Sequence, residues 1–144
     1  VVRGGTGNVS PSTLPHSGRV SNRGYGWPVE GRILRRFENR EDRKYFGIDI
    51  AAPPGTEVRA ARDGTVHYVG STITAYGNMV IVMHDGNVAS LYAFNSRTAV
   101  NVGQRVRRGE VIAYSGDGGR HNEPHIHFQM RRNGNAIDPG PFLP

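Results

Sequence analysis

A chain of 144 residues with no cysteine is long enough for one domain with a true core, and it excludes disulfides and thiolate metal sites. Twenty glycines and nine prolines between short apolar runs argue against long helices, and no run approaches the roughly 18 apolar residues of a membrane span. The net charge of +6 rests almost wholly on arginine, with Lys44 the lone lysine. That balance reads either as an ordinary solvated surface or as a match to an anionic polymer, while no helix-turn-helix, zinc finger or stacking motif points to specific nucleic-acid binding.

Residues 1–24, His16 among them, are rich in Gly, Ser, Pro and Asn and predict a flexible or extended arm, followed by a domain over residues 25–144. The chain opens on Val1 without a secretory leader, as a fragment of a longer protein would. Trp27, the only tryptophan, reads as a packing anchor. Strands are expected at Arg32–Phe37 and Tyr45–Ile50, with the charged stretch Glu38–Lys44 between them as a loop. In the second strand Phe46, Ile48 and Ile50 share one face, and Tyr45, Gly47 and Asp49 the other. Pro53-Pro54-Gly55 makes a turn. Further strands are expected at Glu57–Ala60, Gly64–Val69, Met79–His84, Val88–Ala93, Arg105–Val106, Val111–Ser115 and His125–Arg131. The run Met79–Met83 is apolar throughout and predicts burial on both faces. Asp85-Gly86 and Asn133-Gly134 read as tight hairpin turns.

A weak internal echo links Gly55-Thr56-Glu57-Val58 and Asp63-Gly64-Thr65-Val66 to Gly103-Gln104-Arg105-Val106 and Arg108-Gly109-Glu110-Val111. It is either a duplicated hairpin unit or two ordinary turns. The glycine-rich loop Ser115–Glu123 lacks the Lys-Ser/Thr ending of a phosphate loop and reads as the rim of a groove.

The most informative segment is Pro124-His125-Ile126-His127-Phe128-Gln129-Met130. With a side-chain period of two, His125, His127 and Gln129 share one face of a strand while Ile126, Phe128 and Met130 build core on the other. Two adjacent imidazoles serve as metal ligands, as proton-transfer groups, or as structural histidines of a half-buried strand. His67 and His84 read as structural.

Six segments taken together, Gly47–Pro53, Gly55–Val58, Asp63–Val66, Tyr76-Gly77-Asn78, Val102–Val106 and Pro124–Phe128, resemble the lysostaphin-type (LytM) zinc endopeptidases. The similarity runs from about Trp27 to Leu143. It implies an all-β fold, a compact two-sheet barrel-sandwich hybrid with a duplicated hybrid motif and a groove between loops, placed in the extracytoplasmic cell envelope. Family members bind one zinc and cut peptide cross-bridges of peptidoglycan. Carried over, the resemblance makes Asp49 and His127 zinc ligands and His125 a catalytic histidine that polarises water.

Two further expected histidines are replaced. Tyr45 stands where the first zinc ligand belongs, and Phe94, in Leu91-Tyr92-Ala93-Phe94-Asn95, where the second catalytic histidine belongs. A phenol ligates only as phenolate, with an unperturbed pKa near ~10. A phenyl ring neither transfers a proton nor binds an oxyanion, and loss of one such group costs about 10²–10⁴ in rate. The expectation is no cofactor, no ordinary hydrolysis, and a domain that binds peptidoglycan or activates a cell-wall amidase. Tyr45, Asp49, Phe94, His125 and His127 would then form the contact floor of the groove. The alternative is a zinc endopeptidase in which Tyr45, His121, Glu123 or a group from the arm supplies the third ligand.

Overall fold

The computed structural model describes residues 19–119 and 121–144. Residues 1–18 of the expected arm, with His16, lie outside the described residues. Residues 19–24 are fastened to the domain. Arg62 Nη1 donates to Arg23 O (2.8 Å), and the Arg23 guanidinium lies 4.6 Å over the Phe142 ring. Trp27 packs against the core as an anchor.

The described residues are almost entirely antiparallel β-structure. The strands are β1 (Ile33–Arg35), β2 (Glu38–Arg40), β3 (Arg43–Tyr45), β4 (Ile48–Ala51), β5 (Glu57–Arg59), β6 (Gly64–Gly70), β7 (Asn78–His84), β8 (Val88–Thr98), β9 (Arg105–Val106), β10 (Val111–Ser115), β11 (His125–Arg132) and β12 (Asn135–Ile137). There are two sheets. The large one runs β1-β4-β11-β8-β7-β6-β9, with β12 beside β11 and with β10 joining β8 to β5; the small one is the β2-β3 hairpin. Among the described residues the strands do not close into a barrel.

The period-two reading of β11 holds. Ile126, Phe128 and Met130 are fully buried in the main core with Ile48, Ile50, Val80, Val82, Tyr92 and Ile112. Each such side chain contributes about 1.5–3 kcal/mol by leaving water. His125, His127 and Gln129 lie on the opposite face and are also buried, because a second, smaller cluster of Met79, Leu91 and Ala93 with Tyr76 and Phe94 covers that side. This cluster covers β7 only in part. Met79, Val80 and Val82 are buried, but Ile81 and Met83 are half-buried, so the expectation of burial on both faces fails at those two residues.

The internal echo has a spatial counterpart. The first strand of each unit pairs with the second strand of the other, β5 with β10 and β9 with β6. The glycines that open the units, Gly55 and Gly103, share a positive φ of 83° and 92°. Asn133 and Gly134, at φ 52° and 82°, form the two-residue turn between β11 and β12 that their sequence predicts. The turn at Asp85-Gly86 includes Asn87, also at positive φ.

Three further expectations are corrected. The stretch Glu38–Lys44 is a hairpin rather than a loop, with Glu38 paired to Tyr45 and Asn39 to Lys44; it is mostly exposed, so no apolar alternation marks it. Phe46 does not join the core face of Ile48 and Ile50. The chain breaks between β3 and β4, leaving Phe46 40% exposed and tilted against Phe37. Strand β8 continues past Ala93 to Thr98, because an extra residue near Phe94 bends it from β7 toward β10.

Candidate functional site

Register builds the site. Strand β11 lies between β4 and β8, with His127 directly opposite Asp49 on one side and Ala93 on the other. Directly opposed residues share a face, so the imidazole and the carboxylate are brought together by backbone pairing alone. Gly47 makes room for this, since a Cβ there would lie 2.5 Å from His127 Cε1 and 2.8 Å from the Phe128 carbonyl oxygen.

Asp49 is fully buried and accepts three hydrogen bonds. His127 Nδ1–H donates to Oδ1 (2.6 Å), while the Tyr45 hydroxyl (2.6 Å) and His121 Nε2–H (2.8 Å) donate to Oδ2. Burial alone would raise the Asp49 pKa, but the hydrogen bonds from His127, Tyr45 and His121 outweigh it and bring it down to about 2.

The far side of His127 is equally engaged. Arg131 donates to Gln129 Oε1 through Nε (3.0 Å) and Nη2 (2.8 Å), which turns the Gln129 amide nitrogen toward His127 Nε2 (2.9 Å) and the Tyr76 hydroxyl (3.0 Å). His127 therefore accepts at Nε2 and donates at Nδ1. Tyr76 stacks on its ring, with centroids 5.7 Å apart at 11°. The Tyr45 ring meets His127 edge-on and carries the Arg35 guanidinium 3.7 Å over its outer face.

His125 is fully buried and donates Nδ1–H to Glu123 O (2.8 Å). Phe94 lies edge-on to its ring at 5.5 Å. Phe94 has φ +67°, a left-handed backbone that non-glycine residues rarely adopt. The segment at Gly118 and Gly119 passes close over both rings because these are glycines: a Cβ on Gly118 would lie 2.5 Å from His125 Nδ1, and one on Gly119 2.9 Å from the Phe94 ring. That crossing sets His121 on Asp49. Glu123 turns its carboxylate to Arg32 instead.

The structure thus gathers Tyr45, Asp49, Phe94, His125 and His127 into one cluster. Their exposure divides them. Asp49, His125 and His127 are at most 1% exposed, whereas Tyr45 and Phe94 are half-buried. Phe94 also lines a groove of about 680 Å³ with Asn78, Asn95, Ser115, Gly116 and Asp117. Sequence reasoning gave no role to Gln129, Tyr76 or Arg131. The first and last continue the period-two face of the histidine pair, and Tyr76 opens the Tyr-Gly-Asn segment. His84 is structural as expected, bonded to Asp63 O (2.7 Å) and Ser90 Oγ (2.8 Å).

An antiparallel domain whose central strands carry an aspartate and paired histidines beneath a loop-bordered groove has the architecture of a lysostaphin-type metallopeptidase domain. The chain belongs to Peptidase family M23, whose model matches residues 43–139. Among curated relatives it is 40% identical over 121 residues to the "Lipoprotein NlpD/LppB homolog" of Pseudomonas aeruginosa, with 84% of this chain and 40% of that protein covered. It is 38% identical over 119 residues to "Murein hydrolase activator EnvC" of Escherichia coli, with 81% and 28% covered. Among solved structures it is similar to lysostaphin from Staphylococcus simulans, at 29% identity and TM-score 0.69, covering 78% of this chain and 49% of that one. The chain spans between 28% and 56% of the length of the first curated relatives it matches.

Zinc at the family's ligand positions does not fit the residues present. Tyr45 offers a phenol whose O–H is donated to Asp49 Oδ2, the His127 Nδ1–H is donated to Asp49 Oδ1, and the Gln129 amide N–H is donated to His127 Nε2. A catalytic zinc needs three ready donors and an open position.

Proposed function

We propose that this domain acts in the extracytoplasmic cell envelope as a catalytically silent LytM-type module that activates a cell-wall hydrolase, an amidase acting on peptidoglycan. The observation that carries this reading is the state of Asp49, whose two oxygens are taken by donors from Tyr45, His121 and His127, one of which replaces a histidine ligand. Phe94, in the seat of a proton-handling group, presents an apolar ring to the groove instead. The relatives that bear the name murein hydrolase activator support the same reading.

Contact with the partner falls to Phe94, Tyr45 and the groove rim, while the buried Asp49, His125 and His127 hold that surface in shape. A half-buried aromatic ring lining a groove, as Phe94 does, is the kind of group that dominates binding energy at interfaces. Dye-labelled peptidoglycan tests this. The domain and a cell-wall amidase together should release more dye than the amidase alone, and Phe94→Ala should lose that gain while the domain stays folded. Equal release with and without the domain would overturn the proposal.

A further inference from the structure

We propose that Asp49, His121 and His125 form a divalent-cation site of the zinc type, displaced from the family's ligand positions, which clamps the segment around His121 to the central strands. This stands independently of the activator reading.

One donor atom from each of the three residues lies within 4.8 Å of the others. The second observation is His125 itself. Its Nδ1–H is committed to Glu123 O, so the lone pair is on Nε2, and that buried atom has no hydrogen-bond partner among the described residues. An unpaired buried acceptor is destabilising, so a partner for it is favoured. A histidine that gives one ring N–H to a backbone carbonyl and keeps the lone pair of its other nitrogen unpaired has the arrangement of a metal ligand.

His121 completes the set. Its ring centroid is 4.8 Å from that of His125, and its Nε2 already lies 2.8 Å from Asp49 Oδ2. It becomes a ligand by carrying its proton on Nδ1, so that Nε2 turns from donor to lone pair. Tetrahedral zinc with bonds of about 2.0–2.1 Å holds its donors about 3.3 Å apart, so the cluster contracts by ~1.5 Å at most. The movement falls on His121, which lies on the loop with its side chain 27% exposed, whereas Asp49 and His125 are fixed in strands. Two imidazoles and one carboxylate suit zinc, cobalt or nickel rather than calcium or magnesium, which require oxygen ligands. Binding here brings no hydrolysis, because His125 becomes a ligand and Phe94 supplies no base in its place.

Zinc and cobalt ions titrated separately into the 144-residue chain test the proposal by calorimetry and by cobalt d–d absorption. The expected result is one ion per chain, with His121→Ala and His125→Ala each weakening binding ~10-fold or more. Zinc should raise the thermal midpoint of the wild-type chain and not that of His121→Ala. His67→Ala, exposed on β6, should bind as wild type. Tyr45→Phe, which removes a competing donor from Asp49 Oδ2, should bind at least as tightly. His121→Ala keeps the test decisive if the buried His125 variant does not fold. Absence of saturable binding, unchanged affinity in His121→Ala, or equal loss in His67→Ala overturns the site. Loss in Tyr45→Phe with retention in His121→Ala also overturns it, by moving the ion to the family positions. None of these failures touches hydrolase activation, which is measured on peptidoglycan without added metal.

Discussion

His127 Nδ1 donates to Asp49 Oδ1 at 2.6 Å, so the two residues to which the family resemblance assigns zinc bind each other. The bond is one link in a chain from Arg131 through Gln129 to His127 and Asp49, which Tyr45 and His121 complete. A polar network buried to this depth is stable because every link is matched, and each link is a place to test it.

Gln129→Met keeps the volume and removes the amide. His127 Nε2 and the Tyr76 hydroxyl then lose a donor, and Arg131 keeps only its bond to Gly134 O. At a residue 2% exposed, this should lower folding stability by roughly 1–3 kcal/mol. Urea denaturation measures it, with Arg131→Ala expected to give a smaller loss because its guanidinium is partly solvated.

Two glycines are predicted to resist alanine for different reasons. Gly47→Ala drives a Cβ into the His127 ring and the Phe128 carbonyl. Gly118→Ala drives one into His125 Nδ1 from a backbone at φ +86°. Each should cost roughly 1–3 kcal/mol. Gly86→Ala, where a Cβ meets nothing within 4 Å, carries only the strain of its positive φ and should cost less. Thermal denaturation of the three variants checks the order.

His84 gives a pH dependence. Burial, then the nearby Arg62 charge, hold its pKa below the ordinary 6.5, against the opposing pull of the Asp63 carbonyl and of Asp63 and Asp85. The Ala61 N–H donates to the Tyr92 hydroxyl, Tyr92 to Ser90, and Ser90 to the neutral His84 Nε2. The unfolded chain takes up the proton near pH 6.5 and the folded chain only lower. Stability is therefore fully present above about pH 6.5 and is lost as pH falls from there toward the folded value. Denaturation midpoints between pH 7 and pH 5 should fall more steeply for the wild-type chain than for His84→Gln.

Tyr45→His should restore a third donor at the family's zinc positions, because the Tyr45 hydroxyl already reaches Asp49 Oδ2 at 2.6 Å. Zinc affinity should rise in Tyr45→His with His121→Ala relative to His121→Ala alone. Phe94→His added to this pair should change affinity little, since Phe94 lies against His125 rather than Asp49. Competition with a chromophoric chelator reads both effects.

The fold was legible in the sequence wherever burial imposes a period. Strand β11 alternates Ile126, Phe128 and Met130 against His125, His127 and Gln129, and the register that joins His127 to Asp49 follows from pairing two such strands. The β2-β3 hairpin was not legible, because its exposed charged residues are held by local pairing and leave no apolar trace. Phe94 gave no sign of its left-handed backbone, which glycine or asparagine would have signalled. His121 reaches Asp49 by the path of an irregular loop, which no periodicity encodes. Only Gly118 and Gly119 hinted that the loop passes close to something.

The proposal of a module that activates a cell-wall hydrolase without itself cutting peptidoglycan is tested most directly by product analysis. Purified peptidoglycan incubated with the chain and zinc, then examined by mass spectrometry, should release no soluble muropeptides. Release of cross-bridge cleavage products that disappears in His127→Ala would contradict the account.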